Sequence, residues 1–307
     1  MLLRRRATLR RPVEFVGVGV HGGKRVTMRV CPLHSDNGIM FNRVDVADRE
    51  RIIRLSPECV TNPILRTCIT NEAGVSIAVV EHLLAALRIC KITDAIVEIE
   101  GDEVPIMDGS AVEFTNKFLN VGLRYRNSMV PALVIADEIT VSSKSGRISV
   151  RPSKERKISV ELSCERLGSL VDGRNCYSFK LDDDLNNIAE SRTFGWLDDY
   201  CEIRKRGMAR GASEDNTIVI LSDGTVKNAG GLRHEKEIVM HKCLDLIGDL
   251  CVLECDIIGD ITAINPSHAL NNSFVMEIGK AFRSYSKMAA RPSRQFLDRA
   301  SLRGFAR

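Results

Sequence analysis

Residues 235–253 are apolar on nearly every side, yet His241, Asp245 and Asp249 recur among them at every fourth position. In a helix that spacing puts all three on one face. A helix this apolar is normally buried all round, and a buried carboxylate without a partner costs several kcal/mol. The fold therefore has to bring a compensating group to the stripe. A divalent metal suits it, because His at i and Asp at i+4 lie about 6 Å apart along the axis, within reach of one ion. The alternative is a surface helix with its stripe turned to water, and the spacing alone favours that plainer reading.

Two further segments bear on the choice. Residues 80–88 read Val-Glu-His-Leu-Leu-Ala-Ala-Leu-Arg, with Val80, Leu83, Leu84 and Leu87 at i, i+3, i+4 and i+7. That stripe predicts a helix with one buried face. A catalytic zinc site takes three protein ligands and leaves a fourth position open. His82, at the start of this helix, can complete such a set, and Glu81 beside it can act as general base. A Glu-His pair alone is common on solvated helices, and no His-Glu-x-x-His is present. The third segment is Ser267-His268-Ala-Leu-Asn-Asn272, after the apolar strand-like run 257–264. A His just past a strand end faces a cleft readily. His268 can protonate a leaving amine, oriented by a carboxylate such as Asp249. By itself it would read as a loop or capping His.

Elsewhere, the period-two pattern of residues 26–30 and the run 92–100 predict strands. Asp108-Gly109 reads as a turn, and Ser110 with Glu113 as a capping box opening a helix over 111–120. Residues 122–131 are polar with turn residues at both ends, so the domain boundary is placed there, giving 1–126 and 127–307. The second half repeats the order: strands over 132–164, a polar stretch over 165–190, then helices. The last, over 273–288, carries Phe274, Val275, Ile278 and Phe282 on one face. The repeated order hints at duplication without a residue-level repeat. An α+β pair of sheet-and-helix layers is the expected fold.

At 307 residues the chain suits two domains better than one core. No run reaches the roughly 18 uncharged apolar residues of a membrane span. The formal charge of +4 comes from the ends: residues 1–12 hold five Arg and no acid, and residues 291–307 hold five Arg against Asp298. The body between is net acidic, which argues against a nucleic-acid partner. The ends are expected to be solvated tails, touching a membrane surface weakly at most. Ten cysteines include no Cys-x-x-Cys, and the nearest pair, Cys251 and Cys255, is expected on one helical stretch. Strand-like sequence by Val13 leaves little room for a leader. Free thiols and a cytoplasmic location are the expectation. A nucleotide-sugar or RNA binding module would need a basic face and no zinc. A metal amidohydrolase is the remaining alternative.

Several blocks carry a resemblance: Gly17-Val-Gly-Val-His21-Gly-Gly-Lys24, Val80-Glu-His-Leu-Leu-Ala-Ala-Leu87, Glu103-Val-Pro-Ile-Met-Asp-Gly-Ser-Ala111, Ser191-Arg-Thr-Phe-Gly195, Gly231-Leu-Arg233, His241-Lys-Cys-Leu-Asp-Leu-Ile-Gly-Asp249 and His268-Ala-Leu-Asn271. In content and order they resemble the UDP-3-O-acyl-N-acetylglucosamine deacetylases of lipid A biosynthesis. The resemblance implies two similar α+β domains packed face to face, with one zinc ion per chain between them. It implies hydrolysis of the N-acetyl amide of UDP-3-O-(3-hydroxyacyl)-N-acetylglucosamine, an acylated UDP-amino-sugar, releasing acetate in the committed step. Carried over position by position, His82, His241 and Asp245 bind zinc and Glu81 is the base. His268 is acid or oxyanion stabiliser, Asp249 orients it, and Thr193 helps polarise the carbonyl. Lys242 lies near the polar head, Phe194 packs on the nucleotide-sugar, and Trp196 and Tyr200 follow in the segment lining an acyl passage. A monomer is expected. Departures fall at Ala78-Val79, Arg66, Met240 and Asn265-Pro-Ser267. They bear on affinity and acyl selectivity, not on hydrolysis.

Overall fold

The computed structural model describes residues 3–47, 50–61, 63–163, 165–170 and 175–289, so the basic tail expected over 291–307 lies outside the described residues. The first half runs β1 (Arg5–Leu9), β2 (Val13–Val18), β3 (Arg25–Pro32), β4 (Ile39–Arg43), β5 (Ile52–Arg54), β6 (Val60–Thr61), β7 (Cys68–Thr70), β8 (Ser76–Ala78), α1 (Glu81–Ile89), β9 (Ala95–Glu100) and α2 (Val112–Val121). It continues with β10 (Leu123–Met129), β11 (Ala132–Val134), β12 (Ile139–Ser142), β13 (Arg147–Arg151), β14 (Arg156–Glu161), β15 (Cys176–Lys180), α3 (Asn186–Ala189), β16 (Phe194–Trp196), α4 (Leu197–Lys205), β17 (Ile218–Ile220), α5 (Glu237–Leu250), β18 (Asp256–Ile264) and α6 (His268–Ala289). No helix among the described residues is long and apolar enough to cross a membrane.

The expected α+β architecture is present, with the same wiring twice. One sheet has the order β2-β3-β9-β4-β5, and a second has β12-β13-β18-β14-β15 with β11 added beside β18. In each, the third and fourth strands of that order pair in parallel and the other neighbours antiparallel. In both, one helix (α1 or α5) precedes the central strand and another (α2 or α6) follows it. The repeat is one of connection, so it needs no matching side chains. The strand over 26–30 forms where the pattern predicts, while that expected over 92–100 begins only at Ala95. In β3, Val26, Met28 and Val30 are buried between exposed Arg25, Thr27 and Arg29, as a sheet with one covered face requires.

The equivalent helices α1 and α5 pack against each other. In α5 every residue but Lys242 is buried, and in α1 every residue from Glu81 to Leu87. The single buried face expected for α1 is thus an underestimate: its leucines meet the core while Glu81 and His82 face α5. Close approach depends on Gly248, where a Cβ would sit 2.1 Å from the Glu81 carbonyl oxygen. The apolar cluster around this crossing includes Leu83, Leu84, Leu87, Leu244 and Ile247, each burial worth about 1.5–3 kcal/mol.

Other expectations are revised. Ser110 and Glu113 form no capping box, since α2 starts one residue later with Ala111 at its N-cap. Ser110 Oγ instead accepts from Val112 N and donates to Asp108 Oδ1. The polar segment 122–131 is mostly strand: β10 pairs with β1, leaving Arg124, Tyr125 and Asn127 exposed. Cys251 and Cys255 do not share a helix, because Glu254 between them is left-handed (φ 51°). All nine described cysteines are free.

The N-terminal arginines are not a solvated tail. Arg6 pairs with the fully buried Asp94 at 2.8 Å. Asp256 receives Arg4 (3.0 Å), Arg88 (2.6 Å) and Arg156 (2.7 Å), joining β1, α1 and β14 to the start of β18. Burial works against the ionised Asp256, but Arg88 and Arg4 hold its carboxyl below its ordinary value. Asp256→Asn leaves three guanidiniums without their anion and should cost about 3–5 kcal/mol. A depressed carboxyl stabilises fully above the unfolded value, about pH 3.9, and that contribution disappears as pH falls through the lower folded value. Urea unfolding should therefore show a large gap between native and variant proteins at pH 7 that closes only in acid. Equal midpoints at pH 7 would remove Asp256 from this role.

Candidate metal centre and active site

α5 turns His241, Asp245 and Asp249 toward the N-terminal end of α1, which carries Glu81 and His82. His82, His241 and Asp245 converge, each offering a ligand atom within 4.8 Å of the others. His241 Nε2 lies 3.3 Å and His82 Nε2 3.7 Å from Asp245 Oδ1. The two imidazoles stand at 90° with centroids 5.0 Å apart. All three residues are buried.

The hydrogen bonds around this cluster leave its inward atoms open. His241 Nδ1 donates to the Ser191 carbonyl at 3.0 Å, which turns the Nε2 lone pair toward Asp245. Lys242 Nζ donates to Asp245 Oδ2 at 2.8 Å, while Oδ1 is buried with no hydrogen-bond partner. Burial pushes His241 down to about 4, so its ring is neutral near pH 7. Burial opposes the charge of Asp245, but His241, Lys242 and His82 hold its carboxyl well below the usual range. Two imidazole nitrogens and a carboxylate oxygen lacking a donor are the set a divalent cation takes, with an outer partner orienting one His.

The proton-handling groups sit beside it. Glu81 Oε2 accepts the Thr67 N–H at 3.0 Å, and Oε1 is 3.7 Å from His268 Nε2. Burial raises the Glu81 carboxyl, against the pull of His268 and His82. His268 opens α6 just past β18, and its Nδ1 donates to Asp249 Oδ2 at 2.8 Å. Burial lowers His268, but Asp249 and Glu81 outweigh it and carry the ring up to about 9. Asp249 also accepts from Asn271 Nδ2 (2.8 Å) and from the Thr67 hydroxyl.

The remaining expected residues line one side. The fully buried Glu237 takes Arg192 Nε (2.8 Å), Arg192 Nη2 (3.0 Å) and the Arg233 N–H (2.6 Å). That knot joins the Ser191-Arg-Thr-Phe and Gly231-Leu-Arg stretches and holds the Ser191 carbonyl on His241. Thr193 is fixed by its N–H to Gly109 O and its carbonyl to Ile218 N, both 2.8 Å. Phe194 lies 6.1 Å from His241, with Lys242 Nζ 5.5 Å from its ring. Trp196 lies 5.8 Å from Phe194, ring to ring, and is covered by Arg166. Tyr200 is 37% exposed, on α4, which buries none of its residues. His21 lies in a turn, as expected, its Nδ1 accepting the Ala209 N–H. Asp108 belongs to its turn and also binds Arg233.

Sequence reasoning missed Thr67 and Asn271. Thr67 carries no periodic or motif signal. Asn271 stands three residues past His268, one helical turn along α6, which could have flagged it as sharing a partner.

Residues 6–280 match the family model for UDP-3-O-acyl N-acetylglycosamine deacetylase. The chain is 37% identical over 270 residues to the UDP-3-O-acyl-N-acetylglucosamine deacetylase of Phenylobacterium zucineum (strain HLK1), covering 87% of this chain and 91% of that protein. It is 35% identical over 272 residues to that of Blochmanniella pennsylvanica (strain BPEN), covering 88% and 91%. With that of Campylobacter fetus subsp. fetus (strain 82-40) it shares 33% over 283 residues, covering 92% and 94%.

Proposed function

This chain belongs to the UDP-3-O-acyl N-acetylglycosamine deacetylase family, and from that premise we infer how its buried polar residues divide the work of the reaction. It is a hydrolase that removes the N-acetyl group of UDP-3-O-acyl-N-acetylglucosamine in lipid A biosynthesis. His82, His241 and Asp245 hold one zinc ion. The observation that carries this assignment is the buried Asp245 Oδ1, which lacks any donor and faces two imidazole nitrogens. When bound, such an ion supplies Lewis acidity, polarising a carbonyl and acidifying water.

The chain's own groups move the protons. Glu81 takes a proton from the attacking water as oxygen bonds to the acetyl carbon. Thr193 hydrogen-bonds to the carbonyl oxygen as negative charge develops there. His268, protonated at neutral pH, gives its proton to the departing amine or balances the oxyanion with its charge. The C–N bond breaks, leaving acetate and the free amine. Asp249 keeps the imidazole oriented, Lys242 meets the polar head, and Phe194 packs on the sugar. The reaction belongs to the cytoplasm in this reading, in keeping with the free cysteines. The test is release of acetate from the UDP-sugar by purified, metal-assayed protein. Full activity in protein stripped of metal would overturn the assignment.

Trp196 and Tyr200 are assigned to the acyl passage. An aromatic ring at Tyr200 fills part of it, so this enzyme should prefer a shorter or differently routed acyl chain than its Tyr200→Ile variant. Each buried methylene is worth about 0.8 kcal/mol, enough to separate chains differing by a few carbons. Comparing kcat/KM across acyl lengths tests this, and identical profiles for the two proteins would sink it.

A further inference from the structure

We propose that Thr67 is a positioning residue that locks Glu81 and Asp249, the base and the partner of His268, into one frame. The proposal rests on the hydrolase reading above. Thr67 is 2% exposed and stands immediately before β7. Its N–H donates to Glu81 Oε2 at 3.0 Å, and its carbonyl accepts the Val80 N–H at 3.4 Å. Its hydroxyl donates to Asp249 Oδ1 and lies 3.2 Å from His268 Nδ1. One residue thus touches groups brought by α1, α5 and α6.

The two halves of the contact act differently. The backbone bond occupies Glu81 Oε2 and leaves Oε1 on the His268 side, 3.7 Å from Nε2. The hydroxyl completes the surroundings of Asp249, whose Oδ2 already takes His268 Nδ1 and Asn271 Nδ2, each at 2.8 Å. With both oxygens engaged the carboxylate plane is fixed, and with it the plane of the imidazole. Without the hydroxyl, Oδ1 is buried and unpaired, and the broad two-fold torsion of an Asp carboxylate no longer has a stop. Threonine suits the task because its branched Cβ restricts the hydroxyl's direction.

Thr67→Val removes the hydroxyl, keeps the shape and keeps the backbone bond to Glu81. In the full-length, zinc-loaded protein, kcat should fall about 10- to 100-fold, the penalty of a misplaced proton donor, with KM and zinc content unchanged. Thr67→Ser should restore most of the rate. The downfield proton resonance of His268 Nδ1–H should persist in native protein and in Thr67→Ser, and shift upfield or broaden away in Thr67→Val. Thr67→Ala carries the same expectation should Thr67→Val not fold. An unchanged kcat in Thr67→Val, a Thr67→Ser variant equally impaired, or loss of zinc together with rate would overturn the proposal. Native protein that releases no acetate would refute the hydrolase reading, and the resonance comparison would still decide the role of Thr67.

Discussion

Glu81→Ala is expected to turn over about 10²- to 10⁴-fold more slowly than the native enzyme while holding the same amount of metal. The two parts of that expectation have separate origins. Glu81 is outside the cluster of His82, His241 and Asp245, so its removal leaves all three proposed ligands in place. Its carboxylate is buried at the start of α1, held through Oε2 by Thr67, with Oε1 turned toward His268. No other carboxylate there is as free to take a proton: Asp245 is bound by Lys242, and Asp249 is engaged by Thr67, His268 and Asn271. Metal analysis beside steady-state kinetics checks both parts. A loss of only a few-fold would require another base.

Asp245→Ala should empty the centre. Native protein should bind about one zinc per chain and lose it to a chelator, since three ligands and an open position complete a tetrahedral site. The variant keeps two imidazoles but loses the one carboxylate of the proposed ligand set. Its affinity should fall by more than the roughly 10- to 100-fold that follows loss of an outer partner, and acetate release should fall with it. Undiminished zinc in Asp245→Ala would exclude Asp245 as a ligand.

Much of this site was legible before any fold was known, for an identifiable reason. The spacing of His241, Asp245 and Asp249 is periodic, and helical periodicity survives in one dimension. Their convergence with Glu81 and His82 is not local; it depends on how α1 and α5 cross, which motif resemblance supplied and spacing could not. Thr67 was invisible because its role rests on a backbone N–H that every residue except proline has, and on a hydroxyl aimed by tertiary contacts. The N-terminal arginines misled for a related reason: a run of cations without nearby acids reads as solvated until the distant Asp94 and Asp256 fold against it. Residues 122–131 were read as a domain boundary from polar composition and turn residues, and an exposed ribbon such as β10 carries the same composition, so its strand was not legible there. The double wiring of the sheets was visible only as a similar order of elements, since a shared connection leaves no mark on individual positions.

Gly248 contributes no atom to chemistry, yet it limits which sequences can perform it. The distance between His82 and Asp245 is set where the Glu81 carbonyl rests on a residue without a side chain. Adding one methyl group there would stabilise α5 as a helix while prising its His241 and Asp245 from the His82 of α1. Alanine, the best helix former, is therefore excluded at this one position of α5. A variant chosen for heat resistance alone could lose the convergence of His82, His241 and Asp245 with all three residues still in its gene.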